Sequence, residues 1–348
     1  MQPFKPFIPM LLLVLVVTSA TLYTAHCYPT YFKKRWQKAT AGVLAVALLY
    51  GGYRHTMQQT TETTLWYDHE ATTVDQNHTV LFLHGLIDDY TQSNEYCKET
   101  KGLNTRRNKS GNYLHDLSTT HVRSVQFDYG SSNIPQKFLY ASRSTLAQGK
   151  EIELVNDAYK DIDKNHSVLL DGTSNGASVG IGFVAKYNPR LVGMILQSPY
   201  DSVKGVIQEN INNENGKEYA YAGVQKLFPG HDPKLESPIE QIKYIHNKDL
   251  PILLVCSKED RVVPYKSTAR LYKEFKTRGF NNVYILLTQS GKHAQILWGP
   301  DGKKHQNVVH AFKKKHHILD YNDPYANAGL PLLENCQPSL DEINKILG

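Results

Sequence analysis

The first 55 residues contain no aspartate or glutamate, although Lys5, Lys33, Lys34, Arg35, Lys38 and Arg54 all lie there. Those six cations equal the net charge of +6 of the whole 348-residue chain, so residues 56–348 sum to zero. A neutral body lacks the basic face that a polyanion requires, which removes nucleic acid from the expected partners. The phosphate-binding string G-x-x-x-x-G-K-[ST] is absent. Metal-ligand spacing such as H-E-x-x-H is absent too, so His115, His121 and the run Lys313–His317 read as surface and no metal site is expected. Internal repeats and low-complexity tracts are also missing. Cysteine is scarce, with four in all. Cys256 lies inside "PILLVC" and reads as a small buried strand residue, Cys27 sits beside an apolar run, and Cys97 and Cys336 are candidates to pair in an oxidising compartment.

The acid-free segment is also the most apolar. "FIPMLLLVLVVTSATLY" (Phe7 to Tyr23) and "ATAGVLAVALLYGGY" (Ala39 to Tyr53) flank "KKRWQK". Two spans would keep that basic stretch on the cytoplasmic side and put the body on the other, as the positive-inside rule demands. Residues 1–55 are therefore expected to form one or two transmembrane helices, with a cleaved signal peptide and a secreted body as the alternative. Residues 56–78 read as a polar linker. Asn77, Asn108 and Asn165 each begin an N-x-[ST] triplet.

Beyond the linker, short apolar runs alternate with helical patterns. "TVLFLHG", "VRSVQFDYG", "SVLLDG", "LVGMILQSP", "LPILLVCS" and "NVYILLTQ" read as strands, several of them apolar throughout. "GKEIELVNDAYKDI", "GASVGIGFVAKYN" and "YKSTARLYKEFKTRG" carry helical spacing, and "DGKKHQNVVHAFKKKHH" reads as a last helix. This alternation predicts an α/β fold with a mostly parallel central sheet and helices on both faces. The insert near 201–243 is long enough to form a cap, and residues 318–348 read as a tail with a short terminal helix.

Ligands of such sheets sit beyond the carboxyl ends of the strands. His84-Gly85, Asp128, Ser174, Asp260 and His293 all fall at or soon after a strand's end. Gly172-Thr173-Ser174-Asn175-Gly176 matches G-x-S-x-G between a strand and a helix. A serine there stands on a tight turn, and the residues two before and two after come too close to their surroundings for a Cβ. Serine needs a base to become a nucleophile, and the base needs an orienting acid. Asp260 in "SKEDRVVP" and His293 in "QSGKHAQI" supply both in the order Ser, Asp, His, with Glu259 as the fallback acid. The expected oxyanion donors are the backbone N–H groups of Asn175 and Leu86. His84 is expected to fix the loop around Gly85, and Asp88 and Asp89 to be solvated.

These strings resemble the α/β-hydrolase superfamily over roughly residues 79–317. "HG" after the first strand, "GTSNGA", "SPYDSV", "PILLVCSKEDRVVP" and "GKHAQI" look like its serine aminopeptidase and prolyl-oligopeptidase-like branch, a pattern shared with membrane-tethered lysophospholipases. The resemblance implies Ser174 as nucleophile, Asp260 as acid, His293 as base and no cofactor. It departs from that pattern at Asn175, where many members carry a bulkier residue, and in "HGLIDD", which lacks a second glycine. The function expected is a serine hydrolase acting on a lipid or small-molecule ester, or on an amide, beside a membrane. A non-catalytic binding protein of the same fold and an acyltransferase are the alternatives.

Overall fold

The computed structural model describes residues 66–69, 75–86, 120–125, 127, 144–296, 299–318 and 324–348. The expected membrane segment, Asp88, Asp89, Cys97, Asn108, His115 and Asp128 lie outside these residues. Among the described residues no helix is long and apolar enough to cross a membrane.

Seven strands among the described residues form one sheet: β1 (Trp66–His69), β2 (Asp75–Leu83), β3 (Thr120–Val125), β4 (Ser167–Thr173), β5 (Gly193–Gln197), β6 (Ile252–Ser257) and β7 (Val283–Thr288). Their order across the sheet is β1-β3-β2-β4-β5-β6-β7. All neighbours pair in parallel except β1, which runs antiparallel to β3 at one edge. Helices cover both faces, which is why β5 and β6 are buried along their whole length. On one face lie α1 (Lys150–Lys160), α2 (Asn175–Tyr187) and α6 (Tyr265–Thr277). Ile152, Val155, Phe183, Leu271 and Phe275 build the core there. On the other lie α7 (Gly302–Lys315) and α8 (Pro324–Glu334), with Val308, Val309, Phe312 and Leu333 against Val80, Ile195 and Leu253.

The expected cap is helical. Between β5 and β6 run α3 (Val203–Asn210), α4 (Glu214–Leu227), the short α5 (Pro238–Gln241) and a single 3₁₀ turn, Ile242–Tyr244. Its base is anchored by charge. Arg270 of α6 donates from Nε to Asp201 at 2.6 Å and from Nη1 to Glu209 of α3 at 2.7 Å. Asp201 is buried and also takes the Ser267 hydroxyl. By contrast, α4 buries no residue fully, and Tyr219 and Leu227 are exposed.

Three sequence expectations need correction. The supposed linker 56–78 contains β1, a four-residue edge strand of mixed polarity, and the start of β2, whose polar end precedes the apolar run that marks the strand. The supposed tail holds two helices: α8 packs on α7, and α9 (Leu340–Leu347) on α6, where Ile343 is buried. Between them the chain covers the outer edge of β7. Ile285 donates its N–H to the Cys336 carbonyl at 2.7 Å, and the Gln337 side chain donates to the Val283 carbonyl at 3.3 Å. Finally, Lys313–His317 is not all surface. The helical period that buries Val309 and Phe312 carries Lys313 inward as well, and His316 Nε2 meets the Tyr284 hydroxyl at 3.1 Å.

Cys256 is buried as expected, and desolvation pushes its thiol up to about 12. Cys336 carries a free thiol that donates to the Leu332 carbonyl at 3.2 Å. Asn77 and Asn165 are exposed at the amino-terminal ends of β2 and β4.

Candidate active site

The apolar strand β4 ends in "GT", and the chain turns at once into α2 through Ser174. At this turn Ser174 has φ 55° and ψ −120°, a backbone conformation that L-residues avoid and that costs on the order of 1–3 kcal/mol. Its N–H donates to the Gln197 carbonyl of the adjacent β5 at 2.7 Å, holding the turn down while the side chain stands above the strand end. Both flanking glycines are required by space. A Cβ at Gly172 would lie 2.7 Å from the Ala177 Cα, and one at Gly176 would lie 2.5 Å from the His84 carbonyl oxygen. Neither backbone can yield, so the two glycines let α2 start pressed against the end of β2.

His293 follows β7 and bridges the other two residues. Its Nε2 lies 2.8 Å from the Ser174 hydroxyl, and its Nδ1 lies 2.8 Å from Asp260 Oδ2. Asp260 is buried beyond the end of β6, and its other oxygen accepts the N–H groups of Val262 and Val263, each at 2.9 Å. A carboxylate saturated in this way has one direction left, toward the imidazole. That fixes the tautomer: Nδ1 carries hydrogen and donates to Asp260, leaving Nε2 free to accept the serine proton.

Two further carboxylates hold the loop that bears His293, and sequence reasoning assigned neither this task. Glu259 Oε2 accepts the Gly291 N–H at 3.1 Å. The fallback acid therefore reaches the histidine's loop, while Asp260 takes the imidazole. Asp301 accepts the N–H groups of Gln289 and Ser290 and the Ser290 hydroxyl at 2.9–3.0 Å. The backbone N–H of Ser290 holds the Asp301 carboxyl below the usual carboxylate range. Gly291 adopts φ +124°, where any side chain would be strained. No spacing rule marks these contacts in sequence, although the glycine preceding "KHA" was a visible sign of a constrained turn.

His84 pins the loop after β2. Its Nε2 accepts the Phe127 N–H at 3.2 Å and its Nδ1 faces the Gly85 carbonyl at 2.7 Å, with the Phe127 ring edge-on at 4.8 Å. Leu86, next in that loop, is half-buried against the core. Asn175 opens α2 directly after Ser174 and is buried.

No protein-family profile matches the chain, and no curated protein does. Solved structures do. An acylaminoacyl peptidase from Pyrococcus horikoshii aligns over 78% of this chain at TM-score 0.52 and 13% identity, and the match spans 43% of that protein. An esterase from Pyrococcus furiosus aligns over 72% of this chain and 92% of its own length, at TM-score 0.46 and 16% identity. A lipase-esterase related protein from Clostridium acetobutylicum covers 74% of this chain and 100% of its own length, at TM-score 0.45 and 12% identity. The chain spans less than half the length of the peptidase. The likeness to the peptidase and the mostly parallel strand order show the fold alone: the chain has the α/β-hydrolase fold.

Proposed function

We propose that the chain is a serine hydrolase that cleaves a carboxylic ester, or an amide, through an acyl-enzyme on Ser174. One observation carries this reading: a single imidazole, His293, lies 2.8 Å from both the Ser174 hydroxyl and the buried Asp260 carboxylate. In the first step Ser174 Oγ attacks the acyl carbonyl and its proton passes to His293 Nε2. Asp260 stabilises the imidazolium that results. The backbone N–H groups of Asn175 and Leu86 receive the oxyanion, the former aided by the amino-terminal field of α2. The bond to the leaving group then breaks as His293 returns the proton to it. Water, deprotonated by the same imidazole, attacks the acyl carbonyl and releases acid and free serine. An alcohol or amine in place of water would make the same site an acyltransferase.

The acid-free apolar segment 1–55 supports placing the site at a membrane, with the body on the non-cytoplasmic side and lipid or lipophilic esters as substrates. A fluorophosphonate probe tests the core of the reading. Wild-type protein is expected to label and Ser174→Ala not to; equal labelling of both overturns the assignment. A folded wild type that neither labels nor turns over any p-nitrophenyl acyl ester is a non-catalytic relative of the fold.

A further inference from the structure

The Asn175 side-chain amide is held on both sides. The buried Tyr200 hydroxyl donates to Asn175 Oδ1 at 2.6 Å. The Asn175 Nδ2 group donates to Ser144 Oγ at 3.4 Å. Ser144 in turn donates to Glu151 Oε1 at 2.6 Å and accepts the Leu146 N–H at 2.9 Å. Glu151, buried in the first turn of α1, also takes the N–H of Thr145 at 2.8 Å and the Thr145 hydroxyl.

Only one orientation of the Asn175 amide satisfies this chain. The Ser144 proton is committed to Glu151, so Ser144 can only accept from Asn175; the opposite amide face must then accept from Tyr200. Tyr200 is pinned at its backbone as well, because its N–H donates to Ser178 Oγ at 3.0 Å and its carbonyl accepts the Ser178 hydroxyl at 3.1 Å. Burial raises the phenol well above its ordinary value, which keeps it a donor at any working pH. A tyrosine placed for packing alone has no need of a hydroxyl partner on the residue that follows the nucleophile.

We infer that Tyr200, Ser144 and Glu151 form a positioning network that clamps the Asn175 side chain and thereby aims its backbone N–H at the oxyanion. This inference rests on the reading of Ser174 as nucleophile. An amide at the first position of a helix is free to tilt with its residue, and a donor displaced by a fraction of an ångström loses much of its effect on a developing charge. The network removes that freedom from outside the reacting atoms.

Tyr200→Phe and Ser144→Ala test it, assayed on a p-nitrophenyl acyl ester beside wild type and Ser174→Ala. Tyr200→Phe is expected to lower kcat about 10- to 100-fold with KM within about twofold, and Ser144→Ala to do the same more weakly. Affinity for a phenylboronic acid, whose tetrahedral adduct offers an oxygen anion to the same donors, is expected to fall in proportion to kcat/KM. A loss of kcat that tracks only the unfolded fraction, with boronate affinity of the folded protein unchanged, overturns the inference. So does wild-type kcat in either variant. If Tyr200→Phe does not fold, Ser144→Ala and its boronate affinity decide alone. Inactive wild type with no probe labelling instead removes the hydrolase reading, and this inference with it.

Discussion

Gly176 lies so close to His84 that a Cβ added to it would come within 2.5 Å of the His84 carbonyl oxygen, and closer still to that of Leu83. The helix that starts at the candidate nucleophile is thus seated on the end of the strand that leads to the loop of His84, Gly85 and Leu86. Gly176→Ala is expected to destabilise the fold by about 3 kcal/mol or more, because backbone rather than a flexible side chain must move. Urea unfolding of the purified body measures it, and a shift under 1 kcal/mol contradicts the packing described.

Strain at Ser174 gives a second expectation. Alanine at this position keeps the unfavourable φ of 55°, whereas glycine adopts it freely. Ser174→Gly is expected to be about 1 kcal/mol more stable than Ser174→Ala, with both silent toward fluorophosphonate. Paired denaturation curves check this: equal midpoints would mean the turn stores no strain.

The cap depends on Arg270. Its guanidinium joins buried Asp201 to Glu209 on α3, and Arg270→Ala would leave Asp201 with only neutral partners. A loss of about 2 kcal/mol is expected, discounted for the partial exposure of the arginine. Arg270→Lys should recover little of it, since an ammonium cannot serve both carboxylates with the geometry of a guanidinium. Limited proteolysis is the direct readout, with cleavage in residues 203–235 accelerated first.

Acid should weaken the α7 side of the sheet. His305 and His316 are both held down to about 4, in each case chiefly by burial, with His310 and Lys313 acting on the first and Lys315 and His317 on the second. A histidine depressed in the folded chain is protonated more readily when unfolded. Stability from these groups is therefore complete above about pH 6.5 and is lost as pH falls toward 4. The buried His305 contributes on the order of 2 kcal/mol over that window, and the more exposed His316 less. Urea midpoints of wild type and His316→Asn between pH 7.5 and 4.5 test the sign; a midpoint that rises on acidification refutes it.

What could be read from sequence divides along physical lines. Parallel strands buried on both faces announce themselves as apolar runs, so β4, β5 and β6 fell where "SVLLDG", "GMILQ" and "ILLVC" lie. The turn at Ser174 was legible because two close approaches demand glycine on either side, which leaves a fixed spacing in the chain. β1 was not legible, since "WYDH" is four residues of mixed polarity at an antiparallel edge. Ser144, Tyr200 and Asp301 were likewise invisible as site residues. Their bonds join positions 31, 25 and 11 residues apart in the chain, and no local period records a contact of that kind. Tyr200 did stand inside "SPYDSV", so a sign was present without its meaning.

The hydrogen bond from Ile285 to the Cys336 carbonyl has a consequence for how the molecule meets its own copies. An exposed outermost parallel strand is a template for another chain's backbone, and here Cys336 and Gln337 occupy part of that template from within. A protein shortened to end near Ile318 would retain Ser174, Asp260 and His293 yet lose this guard. Self-association into dimers or larger aggregates, visible as earlier elution in size exclusion, is the expected penalty of removing a segment remote from the chemistry.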